Sequence, residues 1–156
     1  MRSNLRAALT ALGLAVGLTA SIEAQTHRLH IGPRASFDFD AEEIGIGAQV
    51  GIPIATRLEF YPSFDYYFVD PGTLWSVNAD FKYRMFRDRL EWLYTGAGIA
   101  LEKIKGPVGL DDSDPGVNVF LGAETLRGRI HPFAEARVRF ADRDAFVLAA
   151  GLNITL

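Results

Sequence analysis

Three histidines, His27, His30 and His131, are the side chains of this sequence suited to move a proton near neutral pH. A histidine held beside a carboxylate can serve a hydrolase as base, with a serine as nucleophile. His131 has Glu124 and Glu135 nearby in sequence, but no His-x-Ser pair accompanies it. Pro132 and Phe133 follow it instead. His131 therefore reads as a rim or interior histidine, and no enzyme is expected. With no cysteine in the chain, thiol nucleophiles, disulfides and thiolate metal sites are excluded. In "DDSDPG" (111–116), Asp112 and Asp114 alternate before Gly116, which echoes a calcium loop. The full ligand spacing and its closing Glu are missing. Asp111, Asp112 and Asp114 read as a solvated acidic turn, with weak divalent-ion binding as the alternative, and no cofactor is expected.

A third pattern is electrostatic. In "PFAEARVRF" (132–140), Glu135, Arg137 and Arg139 occupy every second position, with Ala134, Ala136, Val138 and Phe140 between them. Successive side chains of a strand point to opposite faces, so one face is charged and the other apolar. A soluble sandwich buries the apolar face, and a membrane barrel exposes it to lipid.

The chain that must position these residues has 156 residues, 49% hydrophobic and 22% charged, which fits one folded domain and not a disordered chain. Residues 1–24 read as a cleaved signal peptide. Arg2 and Arg6 precede the apolar run "AALTALGLAVGLTA" (7–20), and Ala24 offers a small residue at the cut. That run is short for a membrane span. Removing Arg2, Arg6 and Glu23 leaves 14 basic and 18 acidic residues, so no basic surplus points to nucleic acid.

Residues 25–156 read as a single β-domain. Period-2 alternation predicts eight strands at about 29–39, 43–52, 57–68, 74–86, 91–103, 116–125, 130–140 and 145–156. Brief connections follow strands two, four and six. The longest, 103–116, follows strand five. The connections also sort by charge. Asp40, Glu42, Glu43, Asp70, Asp111, Asp112, Asp114, Asp142 and Asp144 fall in one set, and Arg57, Arg87, Arg89, Arg127 and Arg129 in the other. If consecutive strands form hairpins, one rim is acidic and the other basic.

The polar face carries Arg34, Asp38, Glu59, Asp65, Asp80, Lys82, Arg84, Glu102, Glu124, Glu135, Arg137 and Arg139. The apolar face carries essentially no charge and places aromatic residues towards the strand ends, as lipid-facing girdles do. Glycine is frequent on the polar face, where a narrow lumen needs room opposite long charged side chains. Seven acids and five bases in that lumen predict internal ion pairs. The expected fold is all-β: an eight-stranded antiparallel up-and-down transmembrane β-barrel. Its lumen is filled by side chains such as Tyr61, Tyr67, Tyr94 and Phe120, leaving no large pore.

Strand count, loop parity and the ending "GLNITL" (151–156) give the chain a likeness. It resembles the small eight-stranded outer-membrane barrels, the OmpA/OmpX-like family, over the whole length after the signal. Gly151, Leu152, Ile154 and Leu156 resemble that family's C-terminal assembly signal, which the barrel assembly machinery reads. The family usually ends in an aromatic residue, where this chain ends in Leu156. The resemblance implies a monomer in the outer membrane, secreted across the inner membrane by its signal peptide, with lipid and lipopolysaccharide as surroundings. Two alternatives stand beside it. One is a soluble lipocalin-like barrel that binds an apolar ligand inside. The other is a lipid A-modifying barrel enzyme.

Overall fold

A computed structural model of the chain describes residues 28–70, 72–85, 92–105 and 111–156. The expected signal peptide lies outside these residues. The eight strands are β1 (His30–Asp38), β2 (Glu43–Ala55), β3 (Leu58–Tyr67) and β4 (Thr73–Arg84), then β5 (Leu93–Lys105), β6 (Asp111–Glu124), β7 (Ile130–Phe140) and β8 (Ala145–Thr155). Each pairs antiparallel with its sequence neighbour, and β1 pairs with β8, so the sheet closes into an up-and-down barrel. Closure leaves no sheet edge with unpaired backbone groups, which hydrocarbon could not satisfy.

The faces follow the alternation. In β7, Glu135, Arg137 and Arg139 are buried, while Ala134 and Phe140 are exposed. Around the outside stand Ile44, Ile46, Val77, Ile99, Val117 and Leu121, all exposed. Aromatic residues cluster on this outer face near the strand ends. Phe39 packs against Phe37 and Phe146, with ring centroids 4.8 and 5.3 Å away, and Phe60 lies 5.6 Å from Phe81.

Three strands, β2, β5 and β6, extend past the expected bounds. The connection expected over 103–116 is mostly ladder: β5 runs to Lys105, and β6 begins at Asp111. Register pairs Lys105 with Asp111 and Lys103 with Ser113, so the backbone ladder runs on through a stretch with the composition of a turn. Pro115 is tolerated there because pairing of β6 with β7 starts only at Val117, so its missing N–H costs no ladder bond on that side. β2 likewise continues through Pro53 to Ala55, with an irregular register against β3 at Pro53 and Ala55. Arg57, Arg127 and Arg129 adjoin the connections at the end where Leu156 donates its backbone N–H to the Leu29 carbonyl, at 3.0 Å. Arg87 and Arg89 lie outside the described residues.

Candidate functional site

The candidate site is the lumen, built from the inward positions of all eight strands. Of the twelve charged residues expected there, eleven are buried, and the Arg84 side chain is 15% exposed. They form three tiers.

At the basic end, Lys82 on β4 lies between two carboxylates, 3.2 Å from Glu59 and 2.9 Å from Glu124. Arg84 reaches the same two, at 3.0 and 3.1 Å. Asn153 donates to Glu124 at 2.7 Å and accepts from Gln49 at 2.7 Å. Lys82 Nζ also sits over the rings of Tyr61 and Tyr94, 4.4 and 4.6 Å from their centroids, so its charge meets two carboxylates and two π-faces.

In the middle tier, Arg34 pairs with Asp65 at 3.1 Å and donates to Gln49 at 3.3 Å. Arg137 pairs with Asp80 at 2.7 Å and with Glu135 at 2.9 Å. Tyr94 donates its hydroxyl to the other Glu135 oxygen at 3.1 Å. Asn118 donates to Asn78 and Asp80 at 2.8 and 3.1 Å. Phe120 completes an aromatic cluster with Tyr61 and Tyr94, and the Arg137 guanidinium lies 4.8 Å from its ring centroid. Space for the rings comes from glycine. A Cβ on Gly122 would collide with the Tyr94 ring, and one on Gly51 with the His30 imidazole.

At the acidic end, Arg139 pairs with Glu102. Asp38 accepts the backbone N–H groups of Asp40 and Ala41, at 2.9 and 3.0 Å, and so braces the first connection. Asp114 is buried and accepts the backbone N–H groups of Asp142 and Arg143, at 3.2 and 3.1 Å.

That geometry bears on the aspartates considered for a cation. Asp112 pairs instead with Arg143 at 3.1 Å, and the Asp111 backbone lies in the β5–β6 ladder. Among the described residues, no group of three or more His, Cys, Asp and Glu side chains is arranged to hold a metal ion. His131 contacts the Thr125 carbonyl through Nδ1 at 2.7 Å and the Thr155 hydroxyl through Nε2 at 3.0 Å. A carbonyl only accepts, so Nδ1 donates to Thr125. Glu124 and Glu135 are engaged by Lys82, Arg84 and Arg137, and neither is a hydrogen-bond partner of His131. The interior thus offers paired charges, where a lipocalin-like ligand cavity needs an apolar lining. The C-terminal Leu152, Ile154 and Leu156 are exposed on the outer face, and Gly151 lies in β8.

Sequence reasoning missed several amides as network members: Asn78 and Asn118 bond within the middle tier, and Gln49 and Asn153 join that tier to the basic one. Their inward parity marks them. Their partners lie on strands distant in sequence and follow only from closure.

A closed, meandering eight-stranded barrel with charged residues inside and apolar residues outside is the fold of the small eight-stranded outer-membrane barrels. The chain is similar in structure to Neisserial surface protein A (NspA), with a TM-score of 0.59 at 16% sequence identity, covering 83% of this chain and 95% of that one. It is also similar to Ail, the attachment invasion locus protein of Yersinia pestis, with a TM-score of 0.51 at 14% identity, covering 83% of this chain and 97% of that one. No protein-family model and no curated protein matches it.

Proposed function

We propose that the chain is a monomeric outer-membrane β-barrel protein with a structural or surface-interaction role, and that it catalyses no reaction. The observation that carries this reading is the inversion of its faces. Exposed Ile, Leu, Val and Phe encircle a closed barrel whose interior pairs eleven acidic and basic side chains with one another. Apolar surface of that extent is unfavourable in water and favourable in a bilayer.

The short connections of the basic end face the periplasm on this reading, and the long β5–β6 hairpin projects outward. Residues 1–24 serve as the secretion signal. Gly151, Leu152, Ile154 and Leu156 present the assembly signal to the barrel assembly machinery. The rings of Tyr61, Tyr94 and Phe120, with Lys82 and Arg137 against them, fill the lumen and leave no large pore. The exposed acidic rim is the surface available to lipopolysaccharide or to a partner outside the cell. Ail is named for attachment and invasion, and that name supports a surface role.

Expression in a Gram-negative host tests this. The protein is expected in the outer-membrane fraction, migrating differently unheated and boiled on a denaturing gel, and raising no large conductance in a planar bilayer. A soluble periplasmic protein without the shift contradicts the reading.

A further inference from the structure

The apolar wall of the barrel is uneven. Ala123 on β6, Ala134 on β7, Ala150 on β8 and Ala35 on β1 are register partners in turn. Four small side chains in one row, about 14 Å from first to last at strand spacing, leave a trough in the outer face. Leu121, Leu148 and Phe37 line it as well, and its volume is about 710 Å³. The trough crosses the wall obliquely. Ala123 lies one residue from the basic end of β6, whereas Ile44, at the far end of the trough, lies one residue from the acidic end of β2.

Where the trough meets the basic rim, the connection from β6 to β7 carries Arg127 and Arg129 on either side of Gly128, whose φ of 83° turns the chain. Both arginines are exposed, and so is Arg28 before β1. None of the three has an ion-pair partner among the described residues. The Arg129 carbonyl accepts from the Thr155 amide at 2.9 Å, and the Leu29 carbonyl from the Leu156 amide at 3.0 Å. These segments therefore flank the end of β8 and stand over the same sector of the wall as the alanines. Leu29, Leu126 and Ile130 are exposed beside them, which holds the guanidinium groups at the hydrocarbon boundary. Glu59 and Glu124 are buried and matched by Lys82 and Arg84. A carboxylate at Leu156 offsets one of the three exposed charges, so two remain.

From this arrangement we infer that the β6–β7–β8–β1 face binds one anionic phospholipid, with its phosphodiester on Arg127 and Arg129 and an acyl chain in the alanine trough. Guanidinium groups hold phosphate oxygens through charge-assisted N–H bonds. Apart from Leu156, the described residues of this sector expose no carboxylate to receive the amine of a zwitterionic headgroup. A chain lying in the trough gains close contact that a flat wall of larger side chains would not give. The inference rests on the outer-membrane reading above.

The test uses the isotope-labelled protein, refolded, checked for the heat-dependent gel shift and placed in phosphatidylcholine nanodiscs. Phosphatidylglycerol then replaces phosphatidylcholine in steps. Amide shifts at Gly128, Ala134 and Ala150 are expected to saturate together at low mole fraction. Arg127→Gln and Arg129→Gln should each weaken the apparent affinity about fivefold. Ala134→Leu keeps the wall apolar but fills the trough, and should weaken the response at Gly128 too. Soluble glycerol 3-phosphate should not reproduce the shifts. A barrel that shows the gel shift but no saturable response, or one indifferent to both arginine variants, overturns the site and leaves the membrane reading standing. An equal response to phosphatidylethanolamine overturns the anionic assignment. Binding that survives Ala134→Leu, or that glycerol 3-phosphate matches, overturns the trough as the seat of the chain. A protein that never shows the gel shift overturns both readings.

Discussion

Lys82 is the residue on which the interior most depends. It has no exposure and contacts Glu59, Glu124 and the rings of Tyr61 and Tyr94. Removing one partner of a buried ion pair leaves uncompensated charge, at a cost of about 3–5 kcal/mol. Lys82→Met is predicted to destabilise the barrel by that order in urea unfolding from lipid. Adding Glu59→Gln and Glu124→Gln to the same protein should recover much of the loss, since the stranded charges go with it. The sequence shows that Lys82 faces inward, because parity alone decides that. It does not show that Glu124 meets it, since the two lie on β4 and β6, and β5 stands between them. Asp114 shows the opposite difficulty. Its neighbours Asp112, Pro115 and Gly116 have the composition of a turn, yet it is a buried brace.

Among the elements, β7 states the face assignment most plainly and β6 is least legible. Eight strands and their faces follow from alternation, but where a strand ends depends on its partner. β6 continues to Asp111 because β5 runs to Lys105 and gives its backbone a partner, a pairing that local turn chemistry does not reveal. Two predictions belong at this scale. Val138→Lys puts a charge on the outer face of β7 and should cost about 2–4 kcal/mol in a bilayer if the position lies near its midplane, measured by urea unfolding in vesicles. Asp114→Ala removes the acceptor for two amides of the β7–β8 connection. Hydrogen exchange at Asp142 and Arg143 should then accelerate about tenfold or more, with exchange in the β4–β5 ladder unchanged.

For the molecule as a whole, closure turns eight amphipathic strands into one object with an ionic interior and an apolar exterior. Each strand alone would be ambiguous, because either face could look inward. The charges decide it collectively, since they find partners only inside a closed wall. The chain has no cysteine, so a single introduced cysteine carries a unique spin label. The most direct measurement is the collision rate of a label at Val119→Cys, on the outer face of β6, with oxygen and with a water-soluble nickel complex in lipid vesicles. A label at Asp142→Cys on the acidic rim serves as the reference. The face inversion predicts that the label at position 119 meets oxygen readily and the nickel complex rarely, with the reverse at 142. Equal access of the nickel complex to both positions would contradict it.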